Sequence, residues 1–300
     1  MSFFRLQLYC FVILLALGSA AIPNFSSLQA QSKSVRAINS IDCDVLPEPV
    51  FQKIPPGTVT PKKSPITLKQ LSTSRNHITD GGDWLKNNQL SVPVYRVPNP
   101  NLNDPGNTPD IIPARYLDFL LVKAIRSSNL TFLIYGEHYA DGTFFFAVNE
   151  KRGTVEHAYD FGQFSYPRGL NQKEEAKMPV VWAVQEGKIL YVSYFHMGYA
   201  KVSNGMNGYL SAIDTSKNKI LWSSKPQVCN SQTFEIVGDV IISGYGFTAE
   251  PDYLYLLDKR SGEILQQIKL KTAPELILRK NNLLYVRCYD TDYLFEIAGL

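Results

Sequence analysis

The chain has 300 residues, a formal net charge of +3, and 45% hydrophobic and 12% aromatic residues. That content fills a core and excludes a largely disordered chain. The basic residues are scattered, which leaves no electrostatic footprint for nucleic acid, and none is expected as a partner.

Residues 1–21 read as an address rather than as fold. Arg5 supplies a short positive region, Leu8 to Leu17 is an unbroken apolar run, and Gly18, Ser19, Ala20 and Ala21 follow. A short apolar core ending in small residues is the form of a secretory signal peptide, so cleavage is expected after Ala20 or Ala21, with Ala30 a weaker site. The run falls short of the roughly 20 apolar residues that a transmembrane helix needs. No stable membrane span is expected after cleavage, and the protein is expected to be secreted or periplasmic. Cys10 lies inside the run, not behind its small residues, and does not read as a lipidated cysteine. Cys43, Cys229 and Cys288 allow at most one disulfide, which the sequence leaves open, and their spacing offers no zinc set.

Residues 22–65 are rich in Ser, Pro, Gln and Lys and read as an extended linker. Residues 66–116 are irregular. Val92 to Val97 within them alternates like a strand, although Pro93 pushes it towards a sheet edge. Residues 99–110 are a loop.

The pattern changes at residue 117, and residues 117–300 divide into repeated units of short strands separated by turns. The strands of the first unit are 117–125, 130–137, 143–149 and 154–161, and those of the second are 180–187, 189–195, 208–214 and 219–225. The third has 231–238, 240–246, 252–258 and 263–270, and the fourth has 275–281, 283–289 and 292–300. The register lies in the third and fourth strands, where FFFAVNEKRGTVEH, YLSAIDTSKNKILW and YLYLLDKRSGEILQ share one layout. An aromatic-rich strand ends in Asn149, Asp214 or Asp258, and a polar turn closes at Gly153, Asn218 or Gly262. These are residues that tolerate positive φ, as a tight hairpin requires. The step from Asp214 to Asp258 is 44 residues, the period of a propeller blade.

This layout resembles the pyrroloquinoline-quinone-like β-propeller repeat, whose blades carry a Tyr-Leu-x-Ala-Leu-Asp-x-x-Thr-Gly-x-x-x-Trp hairpin. Tyr209 to Asp214 with Leu221 and Trp222 lie nearest to it, followed by Tyr253 to Asp258 with Ser261 and Gly262. The resemblance implies an all-β chain forming a small propeller of about four to five four-stranded blades, preceded by the signal peptide and the Pro-rich segment. An irregular fifth blade would fall in 66–116. The quinone-dependent dehydrogenases of this class use a Trp platform, an adjacent cysteine pair and calcium. This chain has no adjacent cysteines, and Trp84, Trp182 and Trp222 do not map to that site, so no cofactor and no metal are expected. The class also includes lipid-anchored scaffolds of outer-membrane protein assembly.

The fourth unit lacks a fourth strand. Its open edge, Tyr293 to Ile297, needs a donor from upstream of residue 117, and Val92 to Val97 is the candidate. In such a ring the loops between second and third strands share one side with the loops between blades. That side gathers His138, Tyr139, His196, Tyr199, Tyr245, Phe247, Glu250, Tyr289 and Asp290, with Tyr166, Arg168 and Lys173 nearby. Aromatics mixed with carboxylates on convergent loops make a candidate binding face; capping of the core is the competing explanation. His138 and His196, joined by Glu250 or Asp290, are the one grouping suited to acid–base or metal chemistry. His77 is expected in a loop and His157 on an outer strand. The favoured function is a non-catalytic scaffold that binds an envelope protein or a small ligand. The alternative is a quinone- or metal-dependent oxidoreductase, or a hydrolase, with its site on the loop face.

Overall fold

A computed structural model of the protein describes residues 48–49, 64–138, 141–162 and 177–299. The apolar leader, Cys43, Tyr139, Tyr166, Arg168 and Lys173 lie outside the described residues. In chain order the first elements are β1 (Glu48–Pro49), β2 (Thr67–Arg75), the short helix α1 (Gly81–Asn87), β3 (Val94–Tyr95) and β4 (Arg115–Tyr116). Four antiparallel blades follow. Blade one is β5 (Phe119–Ser127), β6 (Leu130–Gly136), β7 (Phe144–Asn149) and β8 (Thr154–Asp160). Blade two is β9 (Val180–Glu186), β10 (Ile189–Tyr194), β11 (Tyr209–Asp214) and β12 (Lys219–Ser223). Blade three is β13 (Glu235–Val237), β14 (Val240–Phe247), β15 (Glu250–Asp258) and β16 (Ile264–Lys269). Blade four is β17 (Pro274–Lys280), β18 (Leu283–Cys288), β19 (Thr291–Ala298) and, returning from the N-terminal side, β2. The arrangement is a four-blade β-propeller.

Residue types follow strand position. The middle strands face neighbouring blades on both sides, so β7, β11 and β14 read as continuous runs of buried residues. The outermost strands are less buried: β2 is exposed along nearly its whole length and β16 has no buried residue. One apolar core runs through blades one, two and three, from Phe132 and Phe145 through Trp182 and Leu190 to Tyr245 and Leu257. A second joins blades three and four around Leu254, Leu256, Ile277 and Phe295.

The repeated turn between third and fourth strands is set by one side chain. Asn149 Oδ1 accepts the Arg152 amide at 3.1 Å, Asp214 Oδ1 accepts the Ser216 amide at 3.0 Å, and Asp258 Oδ1 accepts the Arg260 amide at 2.9 Å. The Asp214 and Asp258 bonds close Asx turns and Asn149 reaches one residue further, and this use of the side-chain oxygen is why the strand ends in Asp or Asn. Blades are then docked through the fourth strand. Trp222 of β12 donates from Nε1 to the Lys259 carbonyl of the next blade at 3.2 Å, and its ring covers Gly262. A Cβ at Gly262 would overlap that ring, and its φ of +71° independently favours glycine.

The strand that completes blade four is β2, not Val92 to Val97. β2 runs antiparallel to β19 from the Arg75–Thr291 pair to the Thr67–Ala298 pair. β3 instead pairs with β5, Val94 opposite Ile125 and Tyr95 opposite Ala124. Pro93 and Pro98 bracket β3 and remove the donors that a longer ladder would use, whereas β2 has nine residues without a proline. Residues 78–116 do not form a fifth blade. They hold two 3-10 turns, α1, β3 and β4, and they bridge blade four to blade one. Trp84 of α1 packs on Leu276 and Leu278 of blade four, while Val92 and Val94 pack against the core of blades one to three.

This bridge is held by one buried cation. Arg287 of β18 is only 2% exposed. Its guanidinium donates to the His77 carbonyl at 2.8 Å, pairs with Asp80, approaches Asp292 at 3.5 Å and lies 5.6 Å from the Trp84 ring centre. Asn76 completes the set, donating to Asp292 Oδ1 at 2.6 Å and to the Cys288 carbonyl at 3.0 Å. Removing one partner of such a group leaves buried charge uncompensated, and Arg287→Ala should cost about 3–5 kcal/mol. Lys69→Ala on exposed β2 should cost no more than about 0.5 kcal/mol. Urea unfolding of the two variants checks this, and equal midpoints would contradict the role given to Arg287.

Candidate functional site

The loop side named from sequence is built by the turns after β6, β10, β14 and β18. Of the residues assigned to it, five meet in one cluster where blade two touches blade three. The insert after β10 starts at His196 and returns at Gly208. Asn207 ties its two ends, accepting the His196 amide at 2.9 Å and donating to the His196 and Gly198 carbonyls at 3.2 Å each. Gly208, with φ of +70°, lets the chain pass over the Tyr245 ring, which a Cβ would approach to 2.7 Å.

His196 is committed to this loop. Its Nδ1 accepts the Gly198 amide at 3.2 Å, so Nε2 carries the proton and donates to Ser203 Oγ at 2.8 Å. Ser203 Oγ in turn donates to the Ala200 carbonyl at 3.0 Å. Burial lowers the imidazole pKa to about 4, in keeping with a ring whose two nitrogens are both used in the neutral form. Glu250 is held at both oxygens: Oε1 accepts the Ala200 amide at 2.6 Å and Oε2 accepts the Tyr245 hydroxyl at 2.6 Å. Burial and this carboxylate push the Tyr245 phenol well above its ordinary value. Tyr199 meets Phe247 edge to face, with ring centres 4.7 Å apart. The two rings are half-buried.

The remaining assigned residues stand apart from this cluster in their bonding. Asp290 accepts from Thr272 Oγ1 at 2.9 Å and from Thr291 Oγ1 at 2.7 Å, and these hydroxyls hold its carboxyl below the usual range. Tyr289 is 47% exposed beside it. His138 is exposed, and its carbonyl accepts the Asp141 amide at 2.9 Å. The structure therefore gives His196, Glu250 and Asp290 separate partners rather than a shared acid–base grouping. Cys229 and Cys288 are buried free thiols, and burial pushes Cys229 up to about 12.

Sequence reading missed Ser203 and Asn207, although the Asn207–Gly208 pair is itself a turn signal. It also missed two groups on the innermost strands. Lys123 of β5 donates to the Val181 carbonyl of β9 at 2.8 Å, and burial lowers its amine to about 8. Glu235 of β13 accepts the Arg279 amide at 3.1 Å, and burial raises its carboxyl to about 7. Nothing in a polar residue on a short strand announces that it faces inward.

No family model matches the chain, and no curated relative matches it. It is similar to several solved structures. The computationally designed Ika4 protein shares 11% identity over 57% of this chain and 87% of that one, with a TM-score of 0.34. BamB from Moraxella catarrhalis shares 13% identity over 58% of this chain and 68% of that one, with a TM-score of 0.26. A quinohemoprotein alcohol dehydrogenase from Pseudomonas putida HK5 shares 12% identity over 54% of this chain, which spans 27% of that protein, with a TM-score of 0.33. The propeller assignment rests on the blades themselves.

The His196 loop carries a pH signature. A folded pKa of about 4 against an ordinary 6.5 means the unfolded chain takes up the proton first. The loop's contribution is therefore complete above pH 6.5 and is lost as pH falls towards 4. His196→Gln, which has no such titration, should be less stable than the parent at pH 7.5, with the gap narrowing at pH 4.5. Urea midpoints at the two pH values test this, and a gap independent of pH would contradict it.

Proposed function

We propose that this chain is an extracytoplasmic propeller that binds a protein partner in the cell envelope through its second-to-third-strand loops. The apolar leader supports the location. The observation that carries the binding role is a division of labour on those loops. Buried His196 and Asn207 and half-buried Glu250 are spent on holding the backbone in place, and half-buried Asp290 is spent on the Thr272 and Thr291 hydroxyls. Met197, at 41% exposure, and Tyr289, at 47%, point outward from the loops so fixed, with exposed His138 on the neighbouring turn. A rigid backbone that presents apolar side chains loses little entropy on association, and aromatic side chains supply most of the energy at protein interfaces. The Tyr199–Phe247 pair would extend that surface.

A photo-reactive amino acid placed at Met197, at Tyr289 and at Leu221 tests the reading. Leu221 is 44% exposed on β12, away from the loops. Irradiation in envelope extract should link one and the same protein to the first two positions and not to Leu221. With that protein purified, Met197→Ala with Tyr289→Ala should weaken binding by about 1–3 kcal/mol while leaving the unfolding midpoint unchanged. Labelling at Leu221 alone, or unchanged affinity of the double variant, would overturn the proposal.

A further inference from the structure

The loop after β6 has a neighbour that belongs to none of the second-to-third-strand loops. β4 runs antiparallel to β5, Arg115 opposite Leu120 and Tyr116 opposite Phe119, and Leu117 with Asp118 makes the two-residue turn between them. Leu120 also stands opposite Gly136, the last residue of β6, so this turn projects on the side of the second-to-third-strand loops. β6 takes one edge of β5 and β4 the other, which sets the hairpin on the inner edge of blade one. Its base is held firmly. The Tyr116 ring meets Phe144 and Phe146 edge to face, with centres 5.2 and 4.7 Å apart, and Phe119 meets Phe144 at 4.7 Å. The Leu121 amide donates to the Ala114 carbonyl at 3.0 Å, and the Arg115 guanidinium donates across the turn to the Asp118 carbonyl at 3.1 Å.

The tip of this hairpin goes against local preference in two ways. Leu117 has φ of +50°, in the left-handed region. Glycine is the usual first central residue of a two-residue hairpin turn with positive φ there, and a branched side chain in that conformation is strained. Leu117 is also 74% exposed. Among the described residues it is the one exposed large apolar side chain on a backbone of positive φ. Glycine or asparagine would suit the turn better, and any polar side chain would suit the surface better. With so little of the leucine covered, contacts within the chain do not offset either cost.

We infer that Leu117 is a docking knob that inserts into an aliphatic pocket of a partner protein, an inference that rests on the loop face being the side that binds. Insertion takes the leucine side chain out of water, and a stem already fixed by aromatic packing loses little entropy on association. Exposed Arg115 and Asp118 flank the leucine with opposite charges. They call for a pocket whose rim offers a carboxylate to Arg115 and a donor to Asp118. A lipid bilayer fits less well, because one leucine would enter it beside two ions that must stay hydrated.

The test places an aliphatic diazirine amino acid at position 117 of the full chain, beside the positions at Met197, Tyr289 and Leu221. Irradiation in envelope extract should link position 117 to the protein linked at Met197 and Tyr289, and Leu221 should stay unlinked. With that protein purified, Leu117→Asn keeps the left-handed turn but removes the apolar side chain, and it should weaken binding by about ten-fold or more. The same variant should unfold at an equal or higher urea concentration than the parent, because the strain is relieved. Leu117→Met, which keeps the apolar volume, should bind within about three-fold of the parent. Linkage at Met197 and Tyr289 without position 117 would overturn the knob and leave the loop-face reading standing. Linkage at position 117 alone would support the knob and count against that wider face, and no linkage at any of the three would overturn both. The knob is also overturned by full affinity of Leu117→Asn, by a lower unfolding midpoint of that variant, by a linked product that is a dimer of this chain, or by sedimentation with phosphatidylethanolamine–phosphatidylglycerol vesicles that Leu117→Asn abolishes.

Discussion

Everything in this ring depends on a pairing between segments more than 200 residues apart, β2 against β19 with Arg287 behind it. A four-stranded blade missing its last strand presents a row of unpaired backbone groups, and neighbouring blades cannot compensate because they pack by faces rather than edges. β2 supplies that strand. Arg287 then anchors the chain as it leaves β2, through His77 and Asp80, and positions Trp84 against blade four. From there the chain crosses to blade one and adds β3 to β5. The cation is expensive to bury, and three partners in fixed geometry are what make it tolerable.

Within the closed ring, the repeat provides stability and the departures from it provide the surfaces. The side-chain-to-amide bonds of Asn149, Asp214 and Asp258 recur because each must reverse the chain at the same height. The Trp222–Gly262 contact shows what a sealed junction between blades requires. Where blade two lengthens its turn, from His196 to Gly208, the added residues fold onto Tyr245 and Glu250 and become a platform with Met197 at its surface.

The blades were legible in the sequence because their signals are local. An Asp or Asn followed four residues later by Gly or Asn is a hairpin wherever it occurs, and alternation fixes which face is buried. β2 was not legible, because an outermost strand needs backbone donors and little else, and TLKQLSTSR carries almost no apolar pattern. Val92 to Val97 carried the pattern, but its prolines confine it to a two-residue pairing. The loop residues were placed on one side of the ring by strand counting alone. Whether each bound its neighbours or faced outward depended on contacts such as Ala200 with Glu250, 50 positions apart, which no local pattern encodes.

The central claim, that a strand from before the first blade is an integral part of the last one, is tested most directly by native-state hydrogen exchange. β2 amides bonded to β19 should exchange only through the same cooperative opening that exposes β18 and β19, with matching free energies and matching dependence on denaturant. Exchange of β2 at low free energy while β18 and β19 stay protected would show that the ring stands without its closing strand, and would contradict the account.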